Sequence, residues 1–209
     1  MFEAGIGPGV AALCLLARNP QLQVTGVEVA SRYAMICEEN AKRNGFQDRL
    51  RVIHADVREA LRRDQIGMPA PGSFAHAMAN PPFFDDPGAI RGPHPTRTGA
   101  WIADAGLDAW LRFLLASVRD GGRITVIHRA DRLGDLLAGL DAQAGSFRIR
   151  PVQPFADTPA KRVVVQAVRH GRAPLVLLPP LVLHERDSGA KHTTEAEAIL
   201  RGEAALGWV

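Results

Sequence analysis

The sequence predicts an α/β fold: a doubly wound, mostly parallel sheet with helices on both faces. Three observations carry this prediction. Short β-branched runs alternate with stretches of helical periodicity along most of the chain, the pattern of strands joined by crossover helices. A glycine-rich turn, Gly5-Ile6-Gly7-Pro8-Gly9, stands directly before the first helical stretch, where a helix N-terminus faces any ligand that approaches the backbone. The 209 residues, 46% hydrophobic and 22% charged, have the composition of one ordinary domain.

In chain order, Val10 to Arg18 is the first helix and Gln23 to Val29 the strand after it. Ser31 to Asn44 repeats Tyr33, Ile36, Cys37, Asn40, Ala41 and Asn44 at helical spacing, and Gly45 stops it. Leu50 to His54 and His76 to Ala79 read as strands, Leu107 to Val118 as a helix and Arg123 to His128 as a strand. Asp131 to Ala144 is expected to be a helix with Asp131 as its N-cap, ending before Gly145. Arg162 to Arg169 is the last strand candidate. Residues 1–172 thus form the core of one domain. Residues 173–209, Pro-broken and then polar with a short helix at Thr194 to Arg201, form a packed tail. The long irregular stretch from Phe83 to Gly106 is rich in Gly, Pro and Asp, and loops of that length are usually functional.

Composition excludes several classes. Cys14 and Cys37 stand alone without C-x-x-C spacing, so neither a disulfide framework nor a zinc cluster is expected, and a reducing cytoplasm is. No apolar run approaches the roughly 20 residues of a membrane span, and Met1-Phe2-Glu3 opens without the basic and apolar regions of a signal peptide. The formal charge is +3, and 22 of the 25 basic residues are Arg. That excess fits a phosphate or carboxylate partner and fits GC-rich coding equally well.

The chemistry gathers at the strand ends. Glu28 closes the strand after the glycine-rich turn, where a carboxylate can accept both hydroxyls of a ribose; a nicotinamide site shares this feature. Asp56, just past the next strand, can accept from the amino group of an adenine. Asn80-Pro81-Pro82-Phe83 follows the strand ending at Ala79, at the carboxyl edge where open α/β sheets bind ligands. Two prolines alone only stop a strand; an Asn before them and an aromatic after them do more. An amide or exocyclic nitrogen is a poor nucleophile because its lone pair is delocalised. The Asn80 side-chain oxygen and the Pro81 carbonyl, made rigid by the proline φ, can accept both amino hydrogens and localise that pair. Phe83 can stack on a base.

Glu3 to Gly9, Glu28, Asp56 and Asn80 to Phe83, in this order and spacing, resemble the motifs of class I S-adenosylmethionine-dependent methyltransferases that methylate nitrogen. Further on, Ala160-Lys161-Arg162-Val163-Val164-Val165, Arg172-Ala173-Pro174-Leu175, Leu181-Val182-Leu183-His184-Glu185 and Thr194-Glu195-Ala196-Glu197-Ala198-Ile199-Leu200 are similar to the C-terminal pattern of the bacterial tRNA adenine-N6 methyltransferases, which modify the adenine 3′ of the anticodon in a valine tRNA. The resemblance implies S-adenosylmethionine as cofactor and tRNA as partner, with no metal and no obligate protein partner. Glu3, Gly5, Gly7 and Gly9 would then serve the methionine side of the cofactor, Glu28 its ribose, Asp56 its adenine, and Asn80 with Phe83 the target base. Glu3 stands where Asp is usual and Phe83 where Tyr is commoner.

In that fold the first strand is central, and only Met1 and Phe2 precede Glu3, so the strand is expected to be largely missing. A strand of about five residues holds several apolar side chains at about 2 kcal/mol each, which rivals the roughly 5–15 kcal/mol stability of a domain. Met1 is therefore expected to be an internal methionine of a longer reading frame. Between Ser146 and Arg172, six basic residues (Arg148, Arg150, Lys161, Arg162, Arg169, Arg172) face one acidic residue, Asp157. Such a band fits RNA phosphates, with Arg148, Arg150, Lys161 and Arg162 the main candidates; it also fits the solvated ends of two late strands. His94, Arg97 and Trp101 are weaker candidates for flanking nucleotides, Trp110 is expected to pack in the core or a lid, and His128 to pack at a strand end. Two other functions fit the same residues: glutamine-N5 methylation of a protein, and a non-catalytic RNA-binding fragment.

Overall fold

Residues 1–57, 67–82, 106–186 and 189–208 are described by the computed structural model. Strand β1 (Phe2–Ala4) leads into helix α1 (Val10–Arg18), followed by β2 (Val24–Glu28), α2 (Ser31–Arg43), β3 (Leu50–His54) and β4 (Phe74–Ala79). Then come α3 (Leu107–Ser117), β5 (Val118–Arg129), α4 (Leu133–Asp141), β6 (Ala144–Gln153) and β7 (Arg162–Arg169). The short β8 (Val176–Leu177) and β9 (Leu181–Val182) precede α5 (Thr194–Arg201). The sheet runs β3-β2-β1-β4-β5-β7-β6-β8, with β9 also beside β6. Pairing is parallel from β3 to β5 and antiparallel only where β7 meets β5 and β6, so the fold is the doubly wound, mostly parallel α/β architecture.

The first strand is present, although short. Phe2, Glu3 and Ala4 pair with Thr25, Gly26 and Val27 on one side and with Ala77, Met78 and Ala79 on the other. All three residues are buried. Phe2 is 1% exposed and packs against Phe74 and Phe113 with ring centroids 4.9 and 5.4 Å away. Strand alternation sends Phe2 and Ala4 into the cluster that contains Leu111, Leu114 and Leu136 of α3 and α4. Ile6, Ala12, Leu16, Cys37 and Ala41 form a second cluster beneath α1 and α2.

Two expected elements differ. Asp131 does not cap a helix: Ala130–Arg132 is a 3-10 turn, α4 starts at Leu133, and the Asp131 carboxylate takes both Nε and a terminal nitrogen of Arg129. That pairing outcompetes the cap and holds the Asp131 carboxyl below its ordinary range. Strand β5 starts earlier than its apolar run, at Val118 opposite Phe74, and Arg119 to Gly122 bulge out before the ladder resumes at His76 and Arg123.

The tail joins the sheet. Strands β8 and β9 extend β6 in parallel, Thr193 caps α5 by accepting from the Ala196 amide at 3.2 Å, and Arg18 of α1 donates to the Ile199 carbonyl at 2.9 Å. No helix among the described residues is long and apolar enough to cross a membrane.

Candidate cofactor and active site

The turn between β1 and α1 is held from three sides. Gly5, Gly7 and Gly9 adopt φ of +67°, +56° and +88°, left-handed conformations that glycine takes without steric cost. The Ile6 amide donates to the Val27 carbonyl at 3.0 Å. Glu28 accepts from the Gly7 amide on one oxygen and from the Ala30 amide, at the start of α2, on the other, each at 2.9 Å. Asn40 of α2 donates to the Pro8 carbonyl at 3.0 Å. A Cβ on Gly5 would lie 2.5 Å from Cη2 of Trp110, so only glycine lets α3 approach the turn this closely.

These contacts frame a cleft of about 220 Å³ at the carboxyl edge of the sheet. Gly5, Gly7 and Pro8 line it from the turn, Val27, Glu28 and Val29 from the end of β2, and Tyr33 from α2. Ala55, Asp56 and Val57 beyond β3, Asn80 and Pro82 beyond β4, and Trp110 of α3 complete it. The strand order makes the arrangement linear: Asp56, Glu28, the turn and Asn80 succeed one another along the edge. Pro81 is fully buried and anchors the backbone between Asn80 and Pro82. His128 is buried within β5. Phe83, His94, Arg97 and Trp101 lie outside the described residues.

Glu3 and Gly9 do not line the cleft. Gly9 caps α1, where a Cβ would meet Cys37 Sγ at 2.6 Å. Glu3 is 6% exposed beneath the turn, with Oε2 buried and without a hydrogen-bond partner. Burial pushes its carboxyl up to about 8, against a smaller opposing effect of the Ala12 amide. The buried Cys37 thiol is pushed up to about 11, first by burial and then by the charges of Glu3, Glu38 and Glu28.

The basic band of the sequence is not one surface, and four of its members need correction. Arg150, only 6% exposed, donates to the carbonyls of Pro179, at 2.8 Å, and Gly207, and Arg148 donates to that of Trp208. Both are committed to holding the tail on β6, because carbonyls brought onto a sheet face need donors. Arg169 donates to the Leu115 and Val118 carbonyls at 2.8 and 2.6 Å at the amino end of the sheet, and Arg172 is exposed just beyond that end. Lys161 and Arg162 alone of the six stand at the carboxyl edge, where Arg162 pairs with Arg129.

The lining fits a nucleoside-bearing cofactor. Carboxylates of Glu28 and Asp56 offer acceptors for hydroxyl and amino groups, Val27, Val29, Ala55 and Val57 offer flat apolar walls, and the turn leaves open space above Gly7, where a Cβ would meet nothing within 4 Å. Among the described residues no cluster of three or more His, Cys, Asp or Glu is disposed to hold a metal ion. Sequence reasoning missed Tyr33, Trp110 and Asn40 as site residues. Tyr33 and Asn40 had been visible only as part of a helix face, and an aromatic on a helix gives no sign of which strand end it reaches.

Residues 1–91 match the methyltransferase small domain family. A tRNA1(Val) (adenine(37)-N6)-methyltransferase of Porphyromonas gingivalis is 28% identical over 165 residues, covering 78% of this chain and 63% of the relative; the chain thus spans less than two thirds of that relative's length. A human release factor glutamine methyltransferase is 29% identical over 107 residues, 44% of this chain and 31% of the relative. The crystal structure of a predicted O-methyltransferase from Agrobacterium tumefaciens superposes with a TM-score of 0.79 at 26% identity, over 98% of this chain and 89% of that one. This fold, this cleft and these similarities support a class I S-adenosylmethionine-dependent methyltransferase.

Proposed function

We propose that the chain transfers a methyl group from S-adenosylmethionine to N6 of adenine in tRNA, at the anticodon-loop position its Porphyromonas gingivalis relative is named for. The observation that carries the reading is the single cleft that collects the turn, Glu28, Asp56 and Asn80 in linear order. In this reading Asp56 accepts from the cofactor adenine, Glu28 from its ribose hydroxyls through lone pairs left by the Gly7 and Ala30 amides, and Gly5 and Gly7 admit its methionine portion. When bound, S-adenosylmethionine supplies an electrophilic methyl on its sulfonium. The Asn80 side-chain oxygen and the Pro81 carbonyl accept the two hydrogens of the adenine amino group, so its lone pair turns out of the ring plane toward that methyl. After transfer the nitrogen loses one proton to solvent. Neither step needs a covalent nucleophile, and the rate gain comes from positioning and preorganised acceptors. Trp110 stands against Gly5 and lines the same cleft as Asn80.

Glutamine-N5 methylation is the second reading, favoured by the human relative, since an amide nitrogen poses the same lone-pair problem. The two separate in one experiment: the protein is incubated with isotopically labelled S-adenosylmethionine and unmodified tRNA, and nucleosides are analysed by mass spectrometry. Label in N6-methyladenosine is expected. No label in RNA, with label in glutamine of an added release factor, would replace the first reading by the second.

A further inference from the structure

We infer that the carboxyl edge beyond β7, carrying Lys161, Arg162, Arg186 and Lys191, is a docking ledge for the phosphate backbone of the RNA whose base enters the cleft. The inference rests on the tRNA reading above and adds a surface to it. Strand β4 ends at Ala79, beside Asn80, and β5 runs parallel to it and ends at Arg129. Because β7 is antiparallel to β5, it starts at that same edge, with Arg162 opposite Arg129. Strand β6 ends there too, with Val152 opposite Arg162, and β9 ends beside it, with Val182 opposite Gln153. The connection from β6 to β7 and the stretch after β9 therefore both rise past the edge that carries Asn80. Two strand spacings separate β4 from β7, about 10 Å, so the ledge flanks the mouth of the cleft.

The ledge is built, not frayed. The Lys161 amide donates to the Val152 carbonyl at 3.1 Å and the Ala130 amide to the Lys161 carbonyl at 3.2 Å; the His184 amide donates to the Pro154 carbonyl at 2.9 Å. The Arg186 guanidinium lies 4.3 Å over the Phe155 ring and is held by Asp157 at 3.3 Å. His184 continues the row, 5.6 Å from Phe155 and 5.2 Å from His192. Among its described residues Asp157 and Glu185 are the acidic side chains, against the four basic ones, and a third acid, Asp187, lies outside the described residues, so the ledge carries one net positive charge. A 220 Å³ cleft is far smaller than an RNA stem-loop, so the nucleotides on either side of the target lie outside it, within reach of this edge. Exposed cations on a pinned backbone suit their phosphates, which position without reading sequence.

The test uses Lys161→Gln and Lys191→Gln, exposed positions where a fold defect is least expected, with Arg172→Gln at the opposite end of the sheet as control. Methyl transfer to tRNA, tRNA retention as a function of salt, and S-adenosylmethionine affinity by calorimetry are measured together. The double variant is expected to raise KM for tRNA about tenfold, keep kcat and cofactor affinity within about twofold, and lessen the slope of log K against log salt by about one per lysine; the control matches wild type. Wild-type transfer to tRNA with unchanged KM and slope in the double variant would overturn the ledge and leave the tRNA reading standing. Absence of transfer to tRNA by the wild-type protein, with transfer to protein glutamine, would overturn both.

Discussion

Glu3 shows how a single buried carboxyl ties stability to pH. Its pKa rises from the ordinary carboxylate value to about 8 in the fold because burial disfavours the charge, so the folded chain holds this proton more tightly than the unfolded one. Stability from this group is complete in acid and is lost as pH rises from the unfolded value toward the folded one. At about 1.4 kcal/mol per unit, the loss between pH 5 and 7 amounts to about 3 kcal/mol. Glu3→Gln, neutral and of the same shape, should flatten that dependence in urea unfolding followed from pH 5 to 8. Asn80 and Asn40 divide along another line. Asn80→Ala should cut kcat about 100-fold or more and leave cofactor affinity nearly unchanged, because the side chain is assigned to the acceptor nitrogen. Asn40→Ala removes only the hydrogen bond to Pro8 that fixes the turn; cofactor affinity should fall about three- to tenfold, the worth of one hydrogen bond, with kcat preserved. Steady-state kinetics with calorimetry separate the two.

At the scale of elements, legibility followed the environment of each strand and helix. β3, α1 and α5 stand where periodicity and stop residues put them, because each has one buried face or a clear cap. Strand β6 was hidden: Phe147, Ile149 and Val152 alternate imperfectly with Arg148 and Arg150, and Arg150 is itself buried. An arginine on a strand reads as a solvated position, and only the arrival of the Pro179 and Gly207 carbonyls makes it an interior one. Arg150→Ala should therefore destabilise the fold by about 2–3 kcal/mol through carbonyls left without donors, measured by denaturant unfolding, with no loss of RNA affinity beyond that caused by unfolding. The same logic explains Asp131, whose carboxylate met an arginine two residues away before it could meet a helix terminus.

Across the whole molecule, the cleft is assembled from the turn, three strand ends and two helices that are distant in sequence, so cofactor binding and global stability are coupled. Ligand at one hundred times its Kd should add about 2.7 kcal/mol to the unfolding free energy. Asp56→Ala, which removes the acceptor assigned to the cofactor adenine, should reduce that gain at the same ligand concentration. Sheet topology also divides charges that are neighbours in sequence: Lys161 and Arg162 stand at the carboxyl edge of the sheet, while Arg169 and Arg172 lie at or beyond the far end of β7, at the amino edge of the sheet.

The amino-acid sequence by itself determined the alternation of strands and helices, the glycine turn, and the places of Glu28, Asp56 and Asn80 at the strand ends. These depend on local spacing, on glycine's access to positive φ and on residues that terminate strands. Only the tertiary structure decided how Phe2–Ala4 are held between β2 and β4, since Phe2 finds Phe74 and Phe113 through the fold and not through its neighbours. Tertiary structure likewise brought Trp110 to Gly5 and set two of six basic residues at the carboxyl edge of the sheet. A side chain's partners across a sheet are fixed by register and strand order, and neither is written in the spacing of residues along one segment.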